Sequence, residues 1–241
     1  MFYTIYYIII IYFMLGGFGF YFINRKKPTD IARQNWLKYI SYFIIINTLF
    51  FSIVVQPGIF VYVAILIILV AIYELFRLFA KSGYKKTKVF LSAIVVLGIY
   101  AVGFYRFSNL SKETILFAFL ILSIFDSFSQ VSGQLFGRKK LLPTISPNKT
   151  LGGLIGGAVA ALVSSLLLKG LYPKSISIVL LTTIGIITFA FIGDLSASWY
   201  KRKFQAKDFS NLIPGHGGFL DRFDSLIAAS AWMAFIHLIN F

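Results

Sequence analysis

Residues 58–80 read GIFVYVAILIILVAIYELFRLFA, and the eight that follow, 81–88, read KSGYKKTK. An apolar run of this length matches the roughly 20 residues that one helix needs to cross a bilayer core. The basic flank behind it is of the kind that accumulates in short cytoplasmic loops. Outward from this stretch the pattern repeats. Apolar runs fall near 2–23, 39–55, 58–80, 88–105, 114–136, 151–168, 176–200 and 223–240. The chain is 59% hydrophobic and 13% charged, far from the roughly one quarter charged of a soluble domain. An all-α, polytopic membrane protein of about eight transmembrane helices is expected. Pro57 and Gly58 break the second run from the third, so a tight hairpin, a re-entrant segment or a seven-span count are the alternatives at that point.

Charge chooses among them. With eight spans and both termini outside, nineteen of the twenty-three Lys and Arg residues fall on the inner side, and only Arg106, Lys112, Lys169 and Lys174 fall on the other. The first span has no basic residue before it and a basic cluster after it, so it is expected to remain as an anchor. Residues 1–113 are expected to supply amino-terminal transmembrane helices, and residues 114–241, which hold five of the eight acids, a carboxy-terminal transmembrane catalytic region. The net charge of +15 is explained by this asymmetry and by anionic lipid head groups, so no nucleic-acid partner is expected. With no cysteine, any metal is held by oxygen or imidazole.

There are only eight acids, five of them in the second half. Asp126 and Asp194 lie within apolar runs, where an ionised group costs about 3 kcal/mol or more unless paired or hydrated. On a helix, Asp194, Ser198, Lys201 and Arg202 fall along one face. This pattern suits a phosphate site, and equally an acid paired with Arg202 for structure alone. Asp221 and Asp224, three apart, share a helix face if the last span begins near Asp221. They then converge on one hard cation, or serve only as acids in a first helical turn.

Between the last two runs, residues 201–224 read KRKFQAKDFSNLIPGHGGFLDRFD. Glycines around a single histidine let backbone N–H groups approach an anion, and His216 beside two aspartates is a candidate for phosphate contact or proton handling. His237 has no assigned role. An earlier loop echoes this chemistry with Gly137-Arg138-Lys139-Lys140, then Ser146-Pro147-Asn148-Lys149-Thr150 and GGLIGG at 152–157. Lys149 and Thr150 suit phosphate, and the glycines suit close packing of the next helix.

Taken as one string, Ser198-x-x-Lys201-Arg202-x4-Lys207-Asp208-x-Ser210-x2-Ile213-Pro214-x-His216-Gly217-Gly218-Phe219-x-Asp221-Arg222-Phe223-Asp224 closely resembles the carboxy-terminal signature of the phosphatidate cytidylyltransferases, or CDP-diacylglycerol synthases. Asp126-Ser127, Gly137-Arg138 and Ser146-Pro147-Asn148-Lys149-Thr150 look like the motif that precedes it in that family. The resemblance covers roughly residues 120–235. Tyr200 replaces the usual aliphatic residue or phenylalanine, and Leu151-Gly152 stand where an aromatic and often an acid are usual.

The resemblance implies a reaction in which CTP and phosphatidate give CDP-diacylglycerol and pyrophosphate at the cytoplasmic face of the cell membrane. It implies magnesium on Asp194, Asp221 and Asp224, with Asp126 facing the same cavity. Lys201, Arg202, Lys207 and Arg222 would contact nucleotide and lipid phosphates, with Arg138, Ser146, Lys149, Thr150 and Ser198. His216, Gly217 and Gly218 would shape the nucleotide phosphate site. An archaeal-type CDP-lipid synthase and a CTP-dependent lipid kinase are the rival enzymes, and an ion-coupled transporter is the rival from another class. A homodimer is left open.

Overall fold

The computed structural model describes residues 2–25, 28–213 and 217–239. Among these the chain forms eight α-helices: α1 (Phe2–Asn24), α2 (Thr29–Val54), α3 (Pro57–Lys81), α4 (Thr87–Ser108), α5 (Lys112–Phe136), α6 (Leu151–Leu167), α7 (Ile176–Lys203) and α8 (Leu220–Leu238). A short hairpin of β1 (Lys140–Leu142) and β2 (Ser146–Thr150) stands between α5 and α6. Five helices, α2, α3, α4, α5 and α7, are long and apolar enough to cross a membrane. The chain is an all-α polytopic membrane protein.

Two boundaries differ from the sequence expectation. Helix α2 begins at Thr29, ten residues before the apolar run, because TDIARQNWLK is polar yet continues the helix out of the hydrocarbon. The stretch Ser146–Thr150, read as a loop, pairs as a strand with Lys140 opposite Thr150 and Leu142 opposite Ser146. Its Pro147 lies on a two-stranded ribbon with open edges, where a missing N–H is tolerated.

The core runs through both halves of the chain, joining Phe60, Phe104, Phe107, Phe117, Phe125 and Met233, all nearly or fully inaccessible. Helix α4 packs along α8, and α7 along α8. Large apolar side chains such as Tyr62, Leu69, Val95 and Ile99 remain on the outside, as a lipid-facing surface requires. Close backbone approach fixes the two helix pairs that carry the site. A Cβ at Gly157 on α6 would stand 2.7 Å from the Phe125 carbonyl oxygen of α5, and one at Gly193 on α7 would stand 2.6 Å from the Asp224 carbonyl oxygen of α8. With lipid as apolar as leucine, such small-residue contacts, not hydrophobic burial, decide which helices pair.

Gly157→Val is therefore expected to destabilise the protein by about 1–3 kcal/mol through overpacking against α5. Ile155→Val, one turn face away and half exposed, should change stability by less than about 0.5 kcal/mol. Thermal unfolding in detergent distinguishes the two.

Candidate active site

The acids sort into two groups by what satisfies them. The first group holds the segment between α7 and α8 in place. Glu74 of α3 is fully inaccessible. Its carboxylate accepts the Phe219 N–H at 2.8 Å, the Leu220 N–H at 2.6 Å and the Ser210 hydroxyl. A carboxylate on the free N–H groups of α8 meets both their hydrogen-bonding need and the positive end of the helix dipole. Asp221 is held as tightly. Its Oδ1 takes the Lys201 ammonium at 2.5 Å, and its Oδ2 accepts the Phe209 N–H at 2.9 Å and the Gly218 N–H at 2.8 Å. The two side chains are 11% and 2% exposed, so this is a desolvated, fully hydrogen-bonded pair.

Gly218 is where these pins meet. A Cβ there would lie 2.8 Å from Asp221 Oδ2, Glu74 Oε1 and Phe209 Cβ together. Gly217, with φ of 85°, supplies the left-handed turn before it and bridges to Ile213. Tyr200, the departure in the signature, is buried, donates its hydroxyl to the Leu75 carbonyl at 2.8 Å and stacks on Phe209.

The second group faces the open site. Lys149 at the end of β2 pairs with Asp194 of α7 at 2.5 Å and lies 5.7 Å from the Phe191 ring centroid. Burial works to lower the Lys149 pKa, but the Asp194 carboxylate, helped by Asp126 and Asp224, outweighs it and holds the ammonium above its ordinary value. Lys149 is thus a fixed cation at neutral pH. The Ser198 hydroxyl points at Asp194 Oδ1 from 3.5 Å. Asp126 of α5 stands in the field of Lys149, Asp194 and Arg222, and Asp224 of α8 in that of Asp194, Lys201 and Asp126. Tyr42 of α2, to which the sequence gave no role, feels Asp126 and Arg222 from another side.

Other expected residues take framing or rim positions. Thr150 caps α6, accepting the Gly153 N–H at 3.2 Å. Arg202 donates from Nε to the Ile145 carbonyl at 3.2 Å and from Nη1 to the Ala206 carbonyl at 3.1 Å, clipping the hairpin to the end of α7. Arg138, Lys207 and Arg222 are exposed, and Ser146 is half-buried at the start of β2. His216 lies outside the described residues, with Pro214 and Gly215. Among the described residues, no three His, Asp or Glu side chains converge into a metal-ligand shell.

Beside the carboxylates an apolar cleft of about 360 Å³ opens between α4, α7 and the hairpin, lined by Leu97, Tyr100, Leu142, Ile145 and Trp199, with Asp224 also on its wall. A lipid-like wall therefore adjoins a charged end.

Glu74 is the functional residue that the sequence left unassigned. Glu74→Gln replaces one acceptor with a donor facing a backbone N–H, and should cost about 1–3 kcal/mol of stability while loosening the 205–219 segment to protease. Thermal unfolding with limited proteolysis checks both effects, and an unchanged melting temperature and cleavage pattern would contradict the capping role.

Comparison with known proteins now bears on this arrangement. A model of the cytidylyltransferase family matches residues 87–240. Over 139 residues the chain is 39% identical to the phosphatidate cytidylyltransferase of Staphylococcus haemolyticus, 40% to that of Staphylococcus epidermidis and 38% to that of Staphylococcus aureus. Each match covers 57% of this chain and 54% of the relative, so the chain spans about half the length of the curated relatives it matches. With the family model covering more than half of its length, including α5, the hairpin, α7 and α8, the chain belongs to the cytidylyltransferase family.

Proposed function

We propose that this protein transfers the cytidylyl group of CTP to phosphatidate, giving CDP-diacylglycerol and pyrophosphate for phospholipid synthesis. The observation that carries the proposal is the Lys149–Asp194 pair at 2.5 Å, with Asp126, Asp224 and Arg222 in its electrostatic field and an apolar cleft beside Asp224. The relatives' names and the family support the same reaction. The gathering of basic residues in alternate loops supports an active site at the cytoplasmic face of the cell membrane, with both termini outside.

In this reaction an oxygen of the phosphatidate phosphate attacks the α-phosphorus of CTP. A new phosphorus–oxygen bond forms, and the bond to the β-phosphate oxygen breaks, releasing pyrophosphate. The lipid phosphate is already anionic at neutral pH, so the main barrier is the approach of two polyanions. Lys149, charged and fixed beside Asp194, is positioned to exchange its carboxylate partner for a phosphate oxygen. Arg222, Arg202 and Lys207 add positive charge at the rim, where a nucleotide arrives from water. The cleft beside Asp224 takes the apolar part of the lipid, and the Glu74 and Asp221 pins keep the α7–α8 segment in register with it.

Asp194 and Asp224, with Asp126 behind them, suit a magnesium ion that keeps water and substrate phosphate as most of its ligands instead of a closed protein cage. When bound, such an ion neutralises charge on the triphosphate and on the departing pyrophosphate. Asp221, with both oxygens taken by protein donors, acts in this proposal as a positioning residue for the loop.

Purified protein in phosphatidate-containing micelles, given labelled CTP and magnesium, is expected to form lipid-linked CMP and pyrophosphate in equal amounts. Asp194→Asn should lower kcat/KM by about 100-fold, roughly 2.7 kcal/mol of transition-state stabilisation, while Lys112→Gln at the other end stays within about twofold. Absence of both products, or more than a tenth of the activity surviving in Asp194→Asn, would overturn the proposal.

A further inference from the structure

Against the α7–α8 segment lies a second concavity whose lining includes none of the residues assigned to the proposed transfer. It encloses about 660 Å³ between the end of α3, the turn after it, and residues 204–211. Arg77, Lys81, Lys85 and Lys86 line it, with Ser82 and Asn211 among its neutral donors, and Asp208 is its only acid. Among the described residues, none of the four cations is ion-paired. Arg77 is partly buried without a carboxylate partner, and Lys86 donates only to the Lys203 carbonyl. A plain topology signal needs lysines on a loop. It does not need them turned around a polar hollow, where field lines of one sign are focused.

The walls of the hollow are held in an uncommon backbone shape. The three described non-glycine residues with positive φ, Tyr84, Lys86 and Gln205, all lie in the two segments that form it, and Gly83 adds a fourth positive φ. Its floor is the Phe209–Ser210 step, whose N–H and hydroxyl are pinned by Asp221 and Glu74. Next in sequence to its lining residues Arg77 and Lys85 stand Phe76 and Tyr84, both exposed, with ring centroids 6.3 Å apart. Aromatic rings beside Lys and Arg are the side chains that settle at the head-group level of a bilayer.

We infer that this pocket is a second anion site, distinct from the Asp126–Asp194–Asp224 cluster, and that it takes a phosphate-bearing ligand whose negative charge meets the four lining cations. The ligand chemistry is a phosphate group, supplied either by an anionic lipid head group at the interface or by a free phosphate compound in water. Because its floor is the pinned step of the active-site segment, an occupant there braces the same residues that Glu74 and Asp221 hold.

The test compares the full chain with Lys81→Gln/Lys85→Gln, and with Lys169→Gln/Lys174→Gln as a control for surface charge. Each protein is placed in neutral-lipid nanodiscs and titrated with inorganic pyrophosphate by calorimetry, and each is separately assayed for retained phosphatidylglycerol by native mass spectrometry. The Lys81/Lys85 variant should lose about tenfold or more in affinity for one of the two probes, with the control within twofold. A loss confined to pyrophosphate identifies a free phosphate ligand, and a loss confined to phosphatidylglycerol identifies a head group. Unchanged binding of both probes, or an equal loss in the control, would overturn the inference. Both readouts are of binding, so they stand apart from the outcome of the turnover assay.

Discussion

The cost of placing carboxylates at the low-dielectric end of a helix bundle governs this structure. Each such group must be repaid by hydrogen bonds, by a cation or by a ligand. Glu74 and Asp221 are repaid inside the protein. Between them they accept four backbone N–H groups, a hydroxyl and an ammonium, and the result is a rigid start for α8. Asp126, Asp194 and Asp224 are repaid only in part, by Lys149, by the Ser198 hydroxyl and the Ser225 N–H, and by the field of Arg222 and Lys201. Under the proposed function, the incomplete repayment of the second set is what would draw further positive charge and, through it, phosphate to the site.

The two sets depend on each other through backbone proximity. Gly193 allows α7 to touch the Asp224 carbonyl, so the carboxylates of neighbouring helices stand in one field. The glycines at 152–157 do the same for α5 and α6, and Thr150 caps α6 directly after Lys149, which fixes how far that lysine reaches. Replacement of a framing residue is therefore felt as misplacement of charge several residues away. A shift of about 1 Å in such groups can cost a hundredfold in rate.

Much of the fold was legible because membrane helices announce themselves by composition. The eight apolar runs each fall on a helix among the described residues, five of these helices being long and apolar enough to cross a membrane, and the Asp194, Ser198 and Lys201 face follows from helical periodicity. The polar start of α2 was missed because hydropathy marks the hydrocarbon and not the helix. Within the site, Lys149, Asp194 and Asp224 carry local signals. Glu74 does not, since its partners Phe219 and Leu220 lie 145 and 146 residues away and nothing around it in sequence predicts them. The engagement of Asp221 by Lys201 was equally hidden, as both residues fit a phosphate signature whether or not they meet. The lone acid in an apolar run was the available clue to Glu74: in a membrane helix such a residue needs a partner.

Binding of a spin-active divalent ion at the partly repaid carboxylates tests the account most directly. Manganese titrated into the purified protein with CTP present, followed by the loss of the free-ion electron paramagnetic resonance signal, should show an ion held by the wild type. In Asp194→Asn/Asp224→Asn that binding should weaken by about tenfold or more, with the melting temperature maintained. Equal manganese binding by the wild type and this variant would contradict the claim that these carboxylates form the cation and phosphate site.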